Sequence, residues 1–256
     1  MKIGNREFDL EHDVYIMGIL NMTPDSFSDG GRYLDREQAL FHAEQMLNEG
    51  ASIIDIGGES TRPGSKPLSD EEEMERVLPI IEAIKSRIDI PISLDTYHSK
   101  TAEEGIRLGV DLVNDIYGLM YDGTMGPVVA KYDIPCVLMQ YFDYTLEEMM
   151  QTADDAGILR DRIILDPGIG FGKTTEQNLH LICHPDALAS YHLPMLLGAS
   201  RKSVIGNVLG IPVEERLAGT VALTTAGVLA GYSIIRVHDV KENYEAAKLA
   251  LAMKNA

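Results

Sequence analysis

Short apolar runs recur along the chain: Tyr15–Leu20, Ser52–Ile56, Pro91–Leu94, Asp111–Val113, Pro135–Met139, Arg162–Leu165, Pro194–Leu197 and Ser233–Val237. Each is too short for a helix and nearly continuous in aliphatic residues, which is the pattern of a strand covered on both faces. Between them the apolar positions return every three or four residues. In Asp35–Asn48, for example, Ala39, His42, Ala43, Met46 and Leu47 have helical spacing. Similar spacing predicts helices over Asp70–Ile84, Lys100–Leu108, Leu146–Ala156, Thr175–Leu188, Glu214–Leu229 and Lys241–Met253, with a weaker one over Met125–Tyr132. Alternating strands and helices imply parallel strands joined by crossovers. Eight such units in 256 residues fit a closed α/β barrel of the (β/α)8 type, one domain over 1–256 with no linker or low-complexity segment dividing it. An open, doubly wound sheet is the alternative, but Asn21-Met22-Thr23-Pro24 follows the first run where a dinucleotide fingerprint would be expected.

A barrel of this type gathers the carboxyl ends of its strands on one rim, where chemistry is expected. The residues at those ends are Asn21, Asp55, Asp95, Asn114 with Asp115, Met139 with Gln140, Asp166, Ser200 with Lys202, and Arg236 with His238. Each polar one has an ordinary use by itself: Asp55 bonding loop amides, Asn114 capping a helix, Arg236 in a structural ion pair, Asp166 capping a turn. Repeated around one rim, such groups would be costly to desolvate unless they converge on a ligand. After Asp166 the chain reads Pro167-Gly168-Ile169-Gly170-Phe171-Gly172-Lys173-Thr174-Thr175, a tight turn ending in a helix N-cap. Its Gly-Lys-Thr tail matches a phosphate-cradling loop, but Pro167 stands where that pattern needs glycine. Two long polar connections, 22–33 with Phe27 and Asp29 and 57–68 with Thr61, Arg62 and Pro63, are expected to be mobile loops over the rim. Asp95, Asn114 and Asp166 suit the donor edge of a flat heterocycle, while Arg62, Arg236, His238 and Lys202 suit a phosphorylated leaving group. Asn21 could give an oxygen ligand to Mg²⁺. His98, His180 and His184 are expected at the surface or in caps, and no Ser/His/Asp nucleophilic set is evident.

Composition narrows the partners. A net charge of −18 opposes binding to nucleic acid or an anionic membrane, so a local basic cluster must attract any anionic substrate. The two cysteines, Cys136 and Cys183, form no disulfide framework, which points to a reducing, cytoplasmic location. Met1 to Leu10 is polar and acidic and has no signal-peptide pattern, and no apolar run reaches the roughly 20 residues of a membrane span.

The chain resembles the dihydropteroate synthases in Gly18-Ile19-Leu20-Asn21-Met22-Thr23-Pro24-Asp25-Ser26-Phe27-Ser28-Asp29-Gly30-Gly31, Asp55-Ile56-Gly57-Gly58-Glu59-Ser60-Thr61-Arg62-Pro63-Gly64 and Leu165-Asp166-Pro167-Gly168-Ile169-Gly170-Phe171-Gly172-Lys173. Shorter matches, Ser93-Leu94-Asp95-Thr96, Val113-Asn114-Asp115, Leu197 to Ser203 and Ile235 to Val240, keep family order over essentially the whole chain. The resemblance implies a TIM barrel that joins 4-aminobenzoate to 7,8-dihydropterin-6-ylmethyl diphosphate with Mg²⁺. It implies that Asp95, Asn114, Asp166 and Lys202 hold the pterin, with Met139 and Ile116 against its face. Asn21, Thr61, Arg62, Arg236 and His238 would meet the diphosphate, and Asn21 the metal. Phe27, Thr61, Pro63, Phe171, Ser200 and Lys202 would surround the aminobenzoate, and Asp29 would approach the cation formed in the reaction. The catalytic groups implied are thus Asp29, Asp95, Asp166, Lys202 and Arg236, in an enzyme expected to be a homodimer.

Two departures stand out. Gln140 replaces the histidine usual after the fifth-strand methionine, and Tyr141 to Gly157 is short, so a truncated crossover helix is expected there. A methyltetrahydrofolate-corrinoid methyltransferase would share Asp95, Asn114 and Asp166 but should lack Thr61-Arg62 and Arg236-Val237-His238. A non-catalytic pterin-binding barrel is the third possibility.

Overall fold

The computed structural model describes residues 1–22, 31–59, 66–141 and 144–256, with the side chains of 31–35 left aside. Two short strands, β1 (Lys2–Ile3) and β2 (Arg6–Glu7), open the chain as an antiparallel hairpin. The parallel strands β3 (Tyr15–Asn21), β4 (Ala51–Gly57), β5 (Ile92–Asp95), β6 (Leu112–Asp115), β7 (Cys136–Met139), β8 (Ile163–Asp166), β9 (Leu196–Leu197) and β10 (Ile234–Val237) follow, each close to its expected run. They form one eight-stranded sheet in the order β8-β7-β6-β5-β4-β3-β10-β9. Leu165 and Met195 bridge its outer strands, and Leu165 N–H donates to Pro194 O at 2.9 Å, which closes the barrel.

The helices outside the sheet are α1 (Gly31–Asn48), α2 (Asp70–Arg87), α3 (Ser99–Arg107), α4 (Met125–Tyr132), α5 (Leu146–Ala156), α6 (Thr175–Cys183), α7 (Asp186–Ala189), α8 (Ser203–Leu209), α9 (Leu217–Ala230) and α10 (Val240–Lys254), the last of which follows the final strand. Three depart from expectation. The helix expected over Thr175–Leu188 is split, because Pro185 disfavours helical backbone at His184, which sits at φ −137 and ψ 71. An extra helix, α8, ends at Gly210 in left-handed conformation. The short fifth crossover is a complete helix rather than a remnant: α5 has 11 residues, a Thr145/Glu148 capping box and Gly157 as its left-handed stop.

Alternation along the strands sorts the interior. Ile16, Leu20, Ile54, Ile56, Leu94, Val113, Leu138, Leu165, Leu197 and Val237 point outward into the main core against the helices. Met17, Ile53, Leu112, Val137, Ile164, Leu196 and Ile234 point inward and form a separate apolar layer with Ile3 and Phe8 of the hairpin segment. The hairpin therefore plugs the amino-terminal mouth. Its termini are tied by Phe8 N–H donating to Met1 O and the terminal amine donating to Phe8 O, both at 2.8 Å, and the Phe8 ring packs edge-on against Tyr15 at 4.7 Å. No helix among the described residues is long and apolar enough to cross a membrane.

Candidate active site

Two residues beyond the inward apolar layer, with side-chain period 2, the same strands present Asp55, Asn114, Asp166 and Arg236. The polar set thus stands directly above an apolar floor. At its centre the Arg236 guanidinium donates from Nε to Asp55 Oδ2 at 2.6 Å and from Nη2 to Asp95 Oδ2 at 2.5 Å. Asn114 Nδ2 donates to the same Asp55 oxygen at 3.3 Å. Asp55 is fully buried and the Asp95 side chain is 12% exposed. Burial pushes Asp95 up to about 7; Arg236 opposes the shift, and Asp55 and Glu73 add to it. Burial works against the Arg236 charge too, but Asp55 and Asp95 more than offset it.

The loop after β8 supplies the next group. Asp166 Oδ1 accepts Gly168 N–H at 2.7 Å, so the turn-capping role and a place in the site fall to one side chain. Burial raises Asp166, while Lys202 and the Gly168 amide oppose it. Gly168 is required here: its φ is +67, and a Cβ would lie 2.4 Å from Gln140 O. Lys202 donates to Ile169 O and holds its ammonium 4.6 Å above the Phe171 ring. Burial brings Lys202 down to about 8, against the pull of Asp166. Thr174 is the N-cap of α6 in a box with Gln177, which accounts for the threonine of the Gly-Lys-Thr tail.

At the neighbouring strand ends, Ser200 Oγ accepts His238 N–H at 3.2 Å and lies 3.0 Å from His238 Nδ1, joining the ends of β9 and β10. Asn21 ends β3 and is half-buried, Met139 is buried at the end of β7, and Ile116 is half-buried just beyond β6. Asp95, Asn114, Asp166, Lys202 and Arg236 thus converge by direct contact or mutual field. Phe27, Asp29, Thr61, Arg62 and Pro63 lie outside the described residues. So do most of the loops expected over 22–33 and 57–68, although Gly31 to Tyr33 belong to α1 and Gly57 to β4.

Several ordinary roles are reassigned. Asp115, not Asp55, bonds loop amides, accepting from Tyr117 N–H and Leu119 N–H at 2.9 Å each. Asn114 caps no helix. His98 is no surface residue: it starts α3 but is 8% exposed, with Nδ1 3.0 Å from the buried Glu73 carboxylate. The Glu73 hydrogen bond raises its pKa, against burial. Glu73 also accepts Thr96 O–H at 2.7 Å, while Glu59 accepts Tyr97 O–H at 2.9 Å and Leu68 N–H at 3.0 Å. This network beside Asp95 was missed from sequence, yet Glu73, Val77, Ile80 and Ile84 share the buried face of α2 by spacing alone. An arc of rings also follows the rim: Tyr121, Tyr97, Tyr117, Tyr141 and Phe171, with successive centroids 4.6, 5.1, 4.9 and 6.1 Å apart.

Among the described residues no three His, Cys, Asp or Glu side chains cluster to hold a metal. Asp55 is committed to Arg236 and Asn114, and among the described residues Asn21 at the end of β3 carries a neutral amide oxygen. Such a donor set fits Mg²⁺ held mainly by substrate phosphate and water, and does not fit an all-protein cage.

A family model described as pterin binding enzyme matches residues 17–147 and 141–238, so the barrel with this mouth is of the pterin-binding class. A curated relative, the dihydropteroate synthase of Clostridium beijerinckii, is 51% identical, and the match covers 97% of each chain. The crystal structure of dihydropteroate synthase from Clostridium difficile in the presence of pteroic acid has 45% identity and a TM-score of 0.91, covering 96% of this chain and 99% of that one. The Yersinia pestis dihydropteroate synthase complex with a sulfonamide drug has 38% identity and a TM-score of 0.91, covering 100% and 99%. The chain belongs to the dihydropteroate synthase family.

Proposed function

We infer that the chain condenses 7,8-dihydropterin-6-ylmethyl diphosphate with 4-aminobenzoate, giving 7,8-dihydropteroate and diphosphate in folate synthesis. The observation that carries this is the polar layer of Asp55, Asp95, Asn114, Asp166 and Arg236 set above a plugged apolar floor. Asp95, Asn114 and Asp166 take the donor edge of the pterin, with Met139 and Ile116 against its face. The bond from the pterin methylene to diphosphate oxygen breaks, leaving a cation delocalised into the ring. The carboxylates favour that cation, with Asp29 approaching it, while Arg62, Arg236 and His238 favour the departing anion. Lys202 and Phe171 line the acceptor site with Phe27, Thr61, Pro63 and Ser200. The aminobenzoate nitrogen then attacks the methylene carbon and loses a proton, so no covalent enzyme intermediate is needed.

Asn21 would hold Mg²⁺ together with the substrate. When bound, the metal supplies positive charge to the leaving diphosphate. We propose a cytoplasmic homodimer. Its support, beyond the family resemblance, is the free cysteines and the exposed Leu229, Leu249 and Met253 on α9 and α10, which pack side by side.

The decisive assay is release of diphosphate in the presence of the pterin diphosphate with and without 4-aminobenzoate. Release that depends on both supports the synthase. Methyl transfer from methyltetrahydrofolate, or pterin binding without turnover, would replace it with one of the other two readings.

A further inference from the structure

Lys173 is the part of the Gly-Lys-Thr tail that the synthase reaction leaves without a role. Its ammonium donates to Gln140 O at 3.0 Å, to Gly168 O at 3.3 Å and, at the limit of hydrogen bonding, to Phe171 O at 3.5 Å. An ammonium has three N–H donors and here meets three carbonyls, one from the end of β7 and two from the loop after β8. The side chain is half-buried, and burial pulls its pKa down while the Asp166 charge opposes that. Adjacent carbonyls in this loop serve different lysines: Gly168 O accepts from Lys173 and Ile169 O from Lys202. Left-handed backbone at Gly168 and Gly170, φ +67 and +84, accompanies this division.

On the synthase reading Lys202 exchanges its contact with Ile169 O for substrate, whereas the hydrogen bonds of Lys173 go to backbone carbonyls. We propose that Lys173 is a positioning residue: it fixes Phe171 and the Gly168 turn to the end of β7, so the acceptor wall stays in place when Lys202 turns to the ligand. The inference rests on the synthase reading, because it treats Phe171 as part of the aminobenzoate site.

Calorimetry with two ligands tests it. Pteroic acid fills both halves of the site, and a pterin-6-carboxylic acid fills only the pterin half. In Lys173→Met the affinity for pteroic acid should fall about tenfold, the loss of a charged hydrogen-bond set. The affinity for the pterin acid should fall less, by about two- to threefold, because Lys173 also holds the Gly168 turn that caps Asp166. In a Phe171→Ala background the same substitution should cost pteroic acid no more than that smaller amount, since the remainder of its effect passes through that ring. Equal losses for both ligands, or additive losses in the double variant, would make Lys173 merely structural and overturn the proposal. Lys173→Arg keeps the charge but presents a planar fork to three converging carbonyls, so it should not restore pteroic acid binding; full rescue would also count against it. Should Lys173→Met fail to fold, Lys173→Gln, which retains donors, carries the same comparison. A wild-type chain that binds neither ligand would defeat the synthase reading itself. Wild-type binding of both with an unchanged ratio in the variant defeats only the role of Lys173.

Discussion

Replacing Arg236 with Met removes one guanidinium from between two carboxylates that have almost no access to water. Asp55 is fully buried and Asp95 is 12% exposed, and both accept from Arg236 within 2.6 Å. A buried ion pair has small net worth against an apolar substitute, but removing one partner alone leaves charge stranded, typically at about 3–5 kcal/mol. Asp95 can escape by binding a proton. Asp95 already stands at about 7 with Arg236 present, so its folded chain binds more protons than the unfolded chain between the ordinary value of 3.8 and that point. Stability from this group is therefore full below the unfolded pKa and falls as pH rises through the folded one, and removing the opposing cation extends the effect upward. Urea unfolding followed by circular dichroism should show Arg236→Met destabilised by about 3–5 kcal/mol at pH 8. At pH 5, with the Asp95 carboxyl neutral and left to hydrogen-bond imperfectly, the loss should shrink to about 1–3 kcal/mol. Adding Asp55→Asn should recover part of the pH 8 loss. A loss below about 1 kcal/mol at both pH values, or a larger loss at pH 5, would refute the stranded-charge account.

Other consequences can be measured separately. Asp166→Asn should abolish tight pterin binding by calorimetry while leaving the barrel folded, because an amide can still accept from Gly168 N–H; unchanged affinity would remove Asp166 from the pterin site. The kcat/KM for the pterin diphosphate should rise with pH as Asp95 ionises near about 7 and fall beyond about 8 as Lys202 loses its proton. Lys202→Arg should remove the alkaline limb, and a limb that persists assigns it to another group. Phe8→Ala should destabilise the chain by about 3–5 kcal/mol in the same unfolding experiment, through the cavity left in the barrel floor. A neutral result would mean the hairpin is no plug. Sulfonamides should compete with 4-aminobenzoate in steady-state assays, and non-competitive inhibition would contradict a shared acceptor site.

Period-two alternation made much of the site readable in advance. Asp55, Asp95, Asn114, Asp166 and Arg236 lie in or just after the last positions of apolar runs, and the pleat alone turns them inward once the sheet closes. What linked them was not readable: Arg236 meets Asp55 across 181 positions, a pairing fixed by strand neighbours and side-chain reach. The same holds for His98, which looked like a polar residue at a helix start until Glu73 of the neighbouring helix came within 3.0 Å. The hairpin was hidden by its polar composition, although Gly4-Asn5 between Lys2-Ile3 and Arg6-Glu7 is a two-residue turn signal. Pro185 likewise marked the break between α6 and α7, but the apolar spacing on either side outweighed it in the sequence pattern.

The arc of rings gives the enzyme a built-in optical probe. With 11 tyrosines and no tryptophan in the chain, tyrosine emission is not drained into an indole. Tyr97, Tyr117, Tyr121 and Tyr141 are thus a large minority of the emitters and sit together along one side of the mouth. Occupancy of the mouth can accordingly be followed on the unlabelled wild-type chain by its own near-ultraviolet fluorescence, and replacing Tyr141 with Leu identifies how much of the signal originates beside Phe171.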